Sequence, residues 1–381
     1  MTKVCALIFC STVWALGAFA DIQVTRVPDG GIQPQVAVDS KGSVHLIYFK
    51  GDPAAGNLFY ARSPDGGAHF SPAIRVNSVA GSAIAVGNIR GGRIALGRKG
   101  HVYVAWNGSA AASGGDTGHV PMLYSRLNVD GTAFEPERNL IHTAYGIDGG
   151  GGIAADQSGH VYVVWHAPEP GTSGEAHRQV WMARSTDDGK TFAPEEVIWN
   201  DGTGACGCCS LDAFTDSKGQ IYVLFRSARE LVHRDMYLLV SKDRGESFHG
   251  SDISKWDVGY CVMSSEAFAE GRSGVWAAWE TEKQIHFGQI DTGNFAVAEK
   301  TPALSPGANQ KYPALAENAN GSTLLAWTEG MGWKKSGSLD WQIFDRDGKP
   351  VTQVEHGGGQ VPAWSLVAAY ARPDGGFTIL Y

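Results

Sequence analysis

Three observations predict an all-β chain built as a closed ring of small sheets, a β-propeller. A strand-turn-strand beat returns seven times, a shorter hairpin phrase returns three times, and no segment carries a convincing helical period. The beat is an apolar strand, a Gly-containing turn and a second, almost wholly apolar strand. It runs over residues 36–49, 94–106, 153–165, 213–225, 267–279, 314–327 and 367–380. Successive starts lie 58, 59, 60, 54, 47 and 53 residues apart, room for about four short antiparallel strands, which is one blade. A near-continuous apolar run is what a strand needs when neighbouring blades cover both its faces. Seven blades are expected, the last cut short after its second strand. Ile22–Val27 reads as a strand with no hairpin of its own and is expected to complete that blade and latch the ring. Six blades remain open if the terminal strands pack otherwise.

The hairpin phrase is S-x-D-x-G-x-x-F. It occurs at Ser63–Phe70, Ser185–Phe192 and Ser241–Phe248, each time after a strand-like run. Asp65, Asp187 and Asp243 are expected to bond the local backbone two residues on. The following Gly accepts the positive φ of a tight turn, and the Phe folds back as a plug. These aspartates are read as turn formers.

Met1 to Ala20 is expected to be a cleaved signal peptide: Lys3, an apolar run from Val4 to Ala18, and Ala18-Phe-Ala20 before Asp21. Residues 21–381 form the single propeller domain, secreted or periplasmic, with no membrane span and expected to be monomeric. The net charge of −8 and the lack of a basic tract argue against nucleic-acid partners. The high Gly content, 50 residues, fits a chain of hairpins.

The register of the beat selects candidate site residues. Immediately before the first strands stand Gln35, Arg93, Gly152, Asp212, Glu266, Pro313 and Leu366, equivalent positions on successive blades. Arg93, Asp212 and Glu266 are therefore expected to converge at one mouth of the channel, with Arg90, Asp148 and Tyr312 close by. A cation beside two carboxylates separates their proton affinities, which suits acid/base work, and the same pattern also describes a buried ion-pair network. A second aligned set follows the second strands: Lys50, Asn107, His166, Arg226, Glu280 and Thr328. It reads as a polar rim meeting water, where His166 and Arg226 meet a ligand. Trp364 is a further binding candidate.

Four cysteines lie beyond the leader: Cys206, Cys208 and Cys209 in G-A-C-G-C-C-S, and Cys261 in G-Y-C-V-M. An even count in an exported protein favours disulfides, and the two loops precede adjacent blades, so a bond from the cluster to Cys261 is expected. The competing readings are a copper or zinc site and redox-active thiols. The grouping C-x-C-C differs from the isolated thiol pairs of common zinc sites.

The three S-x-D-x-G-x-x-F hairpins resemble the Asp-box (BNR repeat) of sialidase-like β-propellers. The resemblance covers all of residues 21–381 at the level of blades. It implies a retaining exo-glycosidase with a Tyr nucleophile activated by Glu, an Asp acid/base and three Arg that hold a carboxylate. Carried onto this chain, Glu266 would be the activating Glu, Asp212 the acid and Tyr312 the nucleophile. The family's R-I-P motif is met only in part: Arg26-Val27-Pro28 lies seven residues before its strand, Arg93-Ile94 lacks the Pro, and Lys311-Tyr312-Pro313 carries Lys for Arg. Three functions follow: a sialidase-like glycosidase with no cofactor, a propeller that binds a glycan or protein without turnover, and a metal or redox protein centred on the cysteines.

Overall fold

The computed structural model describes residues 20–302 and 309–381. Most of the leader expected over residues 1–20 lies outside the described residues. Seven sheets form the molecule, six of four antiparallel strands in sequence order and one of three. Blade 1 comprises Ile32–Val38, Val44–Asp52, Ala55–Ser63 and Ile74–Arg75. Blades 2 to 6 start with inner strands Arg93–Leu96, Gly152–Ala155, Leu211–Thr215, Ala267–Gly271 and Gln310–Glu317. The seven-bladed expectation holds. Second strands such as Val102–Asn107 and Ile221–Arg226 are buried at every position, as their apolar runs require. The core is a set of inter-blade clusters; one joins Tyr103 and Tyr124 of blade 2 to Val163 and Trp165 of blade 3. The helical elements among the described residues are four short 3-10 turns, and no helix is long and apolar enough to cross a membrane.

Blade 7 joins the two ends of the chain, as expected, with one difference from the antiparallel blades. Ala368–Ala371 and Phe377–Leu380 form a hairpin, and Ile22–Thr25 adds to Phe377–Leu380. The added strand is the outer edge of this three-stranded sheet, and it runs parallel to its neighbour, Ile22 opposite Phe377 and Thr25 opposite Leu380. No hairpin connects it to its neighbour, so nothing in the chain forces the antiparallel sense. Asp21 and Tyr381 carbonyls accept from Phe377 N (2.8 Å) and Val27 N (3.1 Å), closing the ring.

The three Asp hairpins share one geometry. Asp65, Asp187 and Asp243 each accept from their serine hydroxyl at 2.6–2.8 Å. Their Oδ1 atoms also accept from backbone N–H groups four residues on, His69, Thr191 and Ser247, rather than two. Gly189 has φ +70°, and a Cβ there would lie 1.9 Å from the Tyr124 hydroxyl of the preceding blade. Glycine is thus required by conformation and by inter-blade contact together. Phe192 plugs the same interface, edge-on to Tyr124 at 4.7 Å.

Two inner strands carry bulges, between Ile32 and Gln35 and between Lys311 and Ala314. Each contains a proline, Pro34 or Pro313, which has no N–H for the ladder. The preceding residues, Gln33 and Tyr312, take left-handed φ values of +53°. Tyr312 lines the channel, whereas Gln33 is buried and donates from Nε2 to the Ala85 and Trp364 carbonyls at 2.7 and 2.8 Å.

Candidate functional site

The first strands of all seven blades wall a central channel of about 560 Å³. Arg93, Asp212, Glu266 and Tyr312 all line it. The register argument therefore brings three ionisable residues to one mouth. Arg93 is buried and donates from Nη2 to Ser210 Oγ at 2.8 Å. Asp212 is part-buried on the wall. Burial pushes its carboxyl up to about 6, against the opposing charge of Arg93. Glu266 is only 4% exposed, and neither carboxyl oxygen meets a hydrogen-bond donor among the described residues. Burial holds it well above the usual carboxylate range, helped by the charges of Cys209 and Asp212 and opposed by Arg226 and Arg93. An unpartnered buried carboxyl costs free energy, so a group of this kind points to chemistry or to a ligand.

Tyr312 is buried, and its phenol is pushed far up by burial, by Glu280 and by Cys209. Glu280 is the carboxylate that contributes to this shift. Glu280 is engaged by Lys311, whose Nζ reaches both its oxygens at 2.9 and 3.0 Å and the Val262 carbonyl at 2.7 Å. Lys311, at the position of the R-I-P arginine, is a buried counter-ion and not a free anion receptor.

The set expected as a rim at the water's edge is largely interior. Asn107, His166, Arg226, Glu280 and Thr328 are all buried. The loops leading into the next blades pack against three of them: Asn107 Nδ2 donates to the Gly149 carbonyl at 2.6 Å, His166 meets Cys209 and Arg226 meets Ser264. Nε2 of His166 meets the Cys209 carbonyl at 3.1 Å and Nδ1 meets Nη1 of Arg178 at 3.1 Å. Burial first, then Arg178, lowers the imidazole to about 4, so it is neutral with its proton on Nε2. Arg226 donates to Ser264 Oγ (3.0 Å), to the Arg234 carbonyl (2.5 Å) and to the Glu280 carbonyl, and lies over the Trp256 ring. Both side chains hold protein rather than face solvent. Arg90 and Asp148 pair with each other at 2.5 Å. Trp364 is buried edge-on to the exposed Trp333, and its carbonyl accepts from Gln33 Nε2 at 2.8 Å.

The cysteine loop sits directly behind this mouth. Cys208 is bonded to Cys261, which ties the loops leading into blades 4 and 5, as expected. Cys206 and Cys209 are free and buried, their sulfurs 3.0 Å apart; within C-G-C-C they form a C-x2-C pair. Although burial alone raises Cys209, the bond from Cys206, the Arg226 charge and Ser264 bring it down to about 6. The bond to Cys209 and burial push Cys206 well up. The three cluster sulfurs lie within 4.8 Å of one another. With Cys208 in a disulfide, two thiols remain for a soft ion.

The loop is clamped on all sides. Glu175 Oε1 accepts from Gly207 N at 2.6 Å, and its Oε2 from Arg234 at 2.7 Å. The chain passes so close at Gly149 that a Cβ there would lie 1.9 Å from the Cys209 carbonyl. Sequence reasoning missed Glu175, Arg178, Arg234, Ser210 and Ser264. A signal existed for two of them: Arg178 and Arg234 each stand seven residues before an Asp-box serine, Ser185 and Ser241.

No family model and no curated protein matches the chain. Solved structures do. The NanB sialidase of Streptococcus pneumoniae superposes with a TM-score of 0.52 at 11% identity, over 81% of this chain and 67% of that one. The α-L-arabinanase of Penicillium chrysogenum, complexed with arabinobiose, superposes with a TM-score of 0.52 at 13% identity, over 84% and 95%. At these identities the likeness shows the fold alone, a β-propeller shared with a sialidase and an arabinanase.

Proposed function

We propose that this protein is an exported, glycan-active propeller that cleaves a glycosidic bond at the channel mouth formed by Arg93, Asp212 and Glu266. The observation that carries the reading is the buried, unpartnered carboxyl of Glu266 on the channel wall, close enough to Asp212 and Arg93 to feel both charges. Two carboxyls in one low-dielectric mouth do not ionise together. Asp212 is the more open of the two and has the cation beside it, so it ionises first and acts as base. Glu266 keeps its proton and donates it to the leaving oxygen. These roles exchange those that the family resemblance implied, because burial is deeper at Glu266. Arg93 orients an anionic or hydroxyl-rich substrate, and Tyr312 serves as channel wall. That the sialidase and the arabinanase of like fold act on glycans supports the substrate class.

A panel of fluorogenic glycosides tests the proposal on the wild type, Glu266→Gln, Asp212→Asn and Arg93→Ala. The expected result is turnover of at least one glycoside, lowered about 100-fold or more in each carboxyl variant. Full turnover in both carboxyl variants, or glycan binding without turnover in the wild type, overturns the catalytic reading.

A further inference from the structure

The cysteine loop holds two sulfur pairs of different accessibility in contact with each other. Cys261 is exposed beside the exposed Tyr260, and its partner Cys208 is part-buried. Behind them Cys206 and Cys209 are fully enclosed. Sγ of Cys206 lies 3.5 Å from Sγ of Cys208 and 3.0 Å from Sγ of Cys209. A nucleophilic sulfur thus stands within reach of a disulfide sulfur, and a second thiol stands within reach of the first. The loop that carries them is anchored by Gly207 N to Glu175, by Cys206 N to the Arg226 carbonyl (2.8 Å) and by Ser210 N to the Ser264 carbonyl (3.0 Å). Arg226 and Ser264 face Cys209 and favour negative charge on its sulfur.

We propose that these four residues form a thiol–disulfide exchange site. It relays two electrons between the buried Cys206/Cys209 pair and a thiol or disulfide substrate that reaches Cys261 from solvent. Cys206 loses its proton to Cys209 and attacks Cys208. The Cys206–Cys208 bond forms, the Cys208–Cys261 bond breaks, and Cys261 leaves as a solvated thiolate. Cys209 then returns a proton to the departing group through water and attacks Cys206. The Cys206–Cys209 bond forms and Cys208 leaves. Two electrons and one proton have passed from the inner pair to the outer pair, Cys208 being left as the thiolate in place of Cys209, with no change in the oxidation state or charge of the whole. The outer dithiol next attacks an external disulfide, releases two thiols and is restored to Cys208–Cys261. An external dithiol resets the inner pair by the reverse path. The inference does not rest on the glycan reading, because none of the four sulfurs is asked to touch a sugar.

The test is disulfide mapping of the full chain, purified without reductant and equilibrated in graded mixtures of oxidised and reduced dithiothreitol. Samples are quenched in acid, alkylated and digested with trypsin. Cys206, Cys208 and Cys209 fall in the peptide 191–218 and Cys261 in the peptide 256–272, so the two isomers are distinguishable. Among molecules with two thiols, some are expected to carry the two peptides crosslinked. About a tenth or more are expected to carry an internally bonded 191–218 with alkylated Cys261. Cys206→Ser should remove the second isomer and retain the first. The proposal is overturned if Cys261 is crosslinked in every two-thiol molecule. It is equally overturned if Cys206 and Cys209 keep one state across the whole titration. A native mass that includes a metal ion lost on denaturing, with both inner thiols then alkylated, also overturns it.

Discussion

Nε2 of His166 donates to the Cys209 carbonyl at 3.1 Å while Nδ1 accepts from Arg178, so one neutral imidazole links blade 3 to the cysteine loop before blade 4. The pH sign follows from burial. The folded-state imidazole, at about 4, lies below the usual 6.5, so its contribution is complete above 6.5 and is lost as pH falls through 4. The loss amounts to about 3 kcal/mol. Urea unfolding of the wild type between pH 7 and pH 4 should show it, and His166→Gln should flatten that slope. His166→Ala should lower stability at pH 7 by about 2–4 kcal/mol, because Arg178 and the Cys209 carbonyl both lose a partner. The same variant should speed native alkylation of Cys209.

Asp212 titrates with the opposite sign. Its folded-state carboxyl, at about 6, lies above the usual 3.8. Its stabilisation is therefore complete below 3.8 and is lost as pH rises through 6. Asp212→Asn should be more stable than the wild type at pH 8, by up to about 3 kcal/mol, with the difference shrinking towards pH 4. If Asp212 is the base, the acid limb of kcat/KM should lie near pH 6. Arg93→Ala should move that limb to higher pH, since the guanidinium holds the carboxyl down.

The Asp hairpins carry stability rather than chemistry. Gly189→Ala places a Cβ at φ +70° and 1.9 Å from the Tyr124 hydroxyl. It should cost about 2–4 kcal/mol in denaturant unfolding. Asp187→Ala removes bonds to Ser185 Oγ, Thr191 N and Thr191 Oγ1, and should cost about 1–3 kcal/mol. Any glycoside turnover, measured where the variants are still folded, should remain within about 2-fold of wild type, because neither residue lines the channel.

Lys311→Met should be the more damaging half of a coupled pair. It leaves the Glu280 carboxyl, 1% exposed at the side chain, without its counter-ion, at a cost of about 3–5 kcal/mol. Adding Glu280→Gln should recover a large part of that loss. Comparing unfolding of the single and double variants gives the coupling.

Much of the arrangement was legible because the repeat is a local property. Each beat states one hairpin, and equal spacing aligns them, so the convergence of Arg93, Asp212 and Glu266 needed no long-range information. Adjacency of blades 4 and 5 likewise pointed from the C-G-C-C loop to Cys261. The aligned set from Asn107 to Thr328 was harder. A polar residue at a strand end has the same letter whether it meets water or an internal partner. For Arg226 the partners are Ser264 and Glu280, 38 and 54 residues away.

The sequence by itself determined the propeller and the three Asp hairpins, and it favoured seven units over six with the ring closed by residues near Ile22. These depend on period, apolar continuity and turn chemistry, which each segment carries alone. Tertiary structure alone decided which sulfurs bond, which carboxyl lacks a partner, and that the last blade is completed by a parallel strand. Those outcomes depend on distances and desolvation between segments from different blades, and no single stretch of chain encodes them.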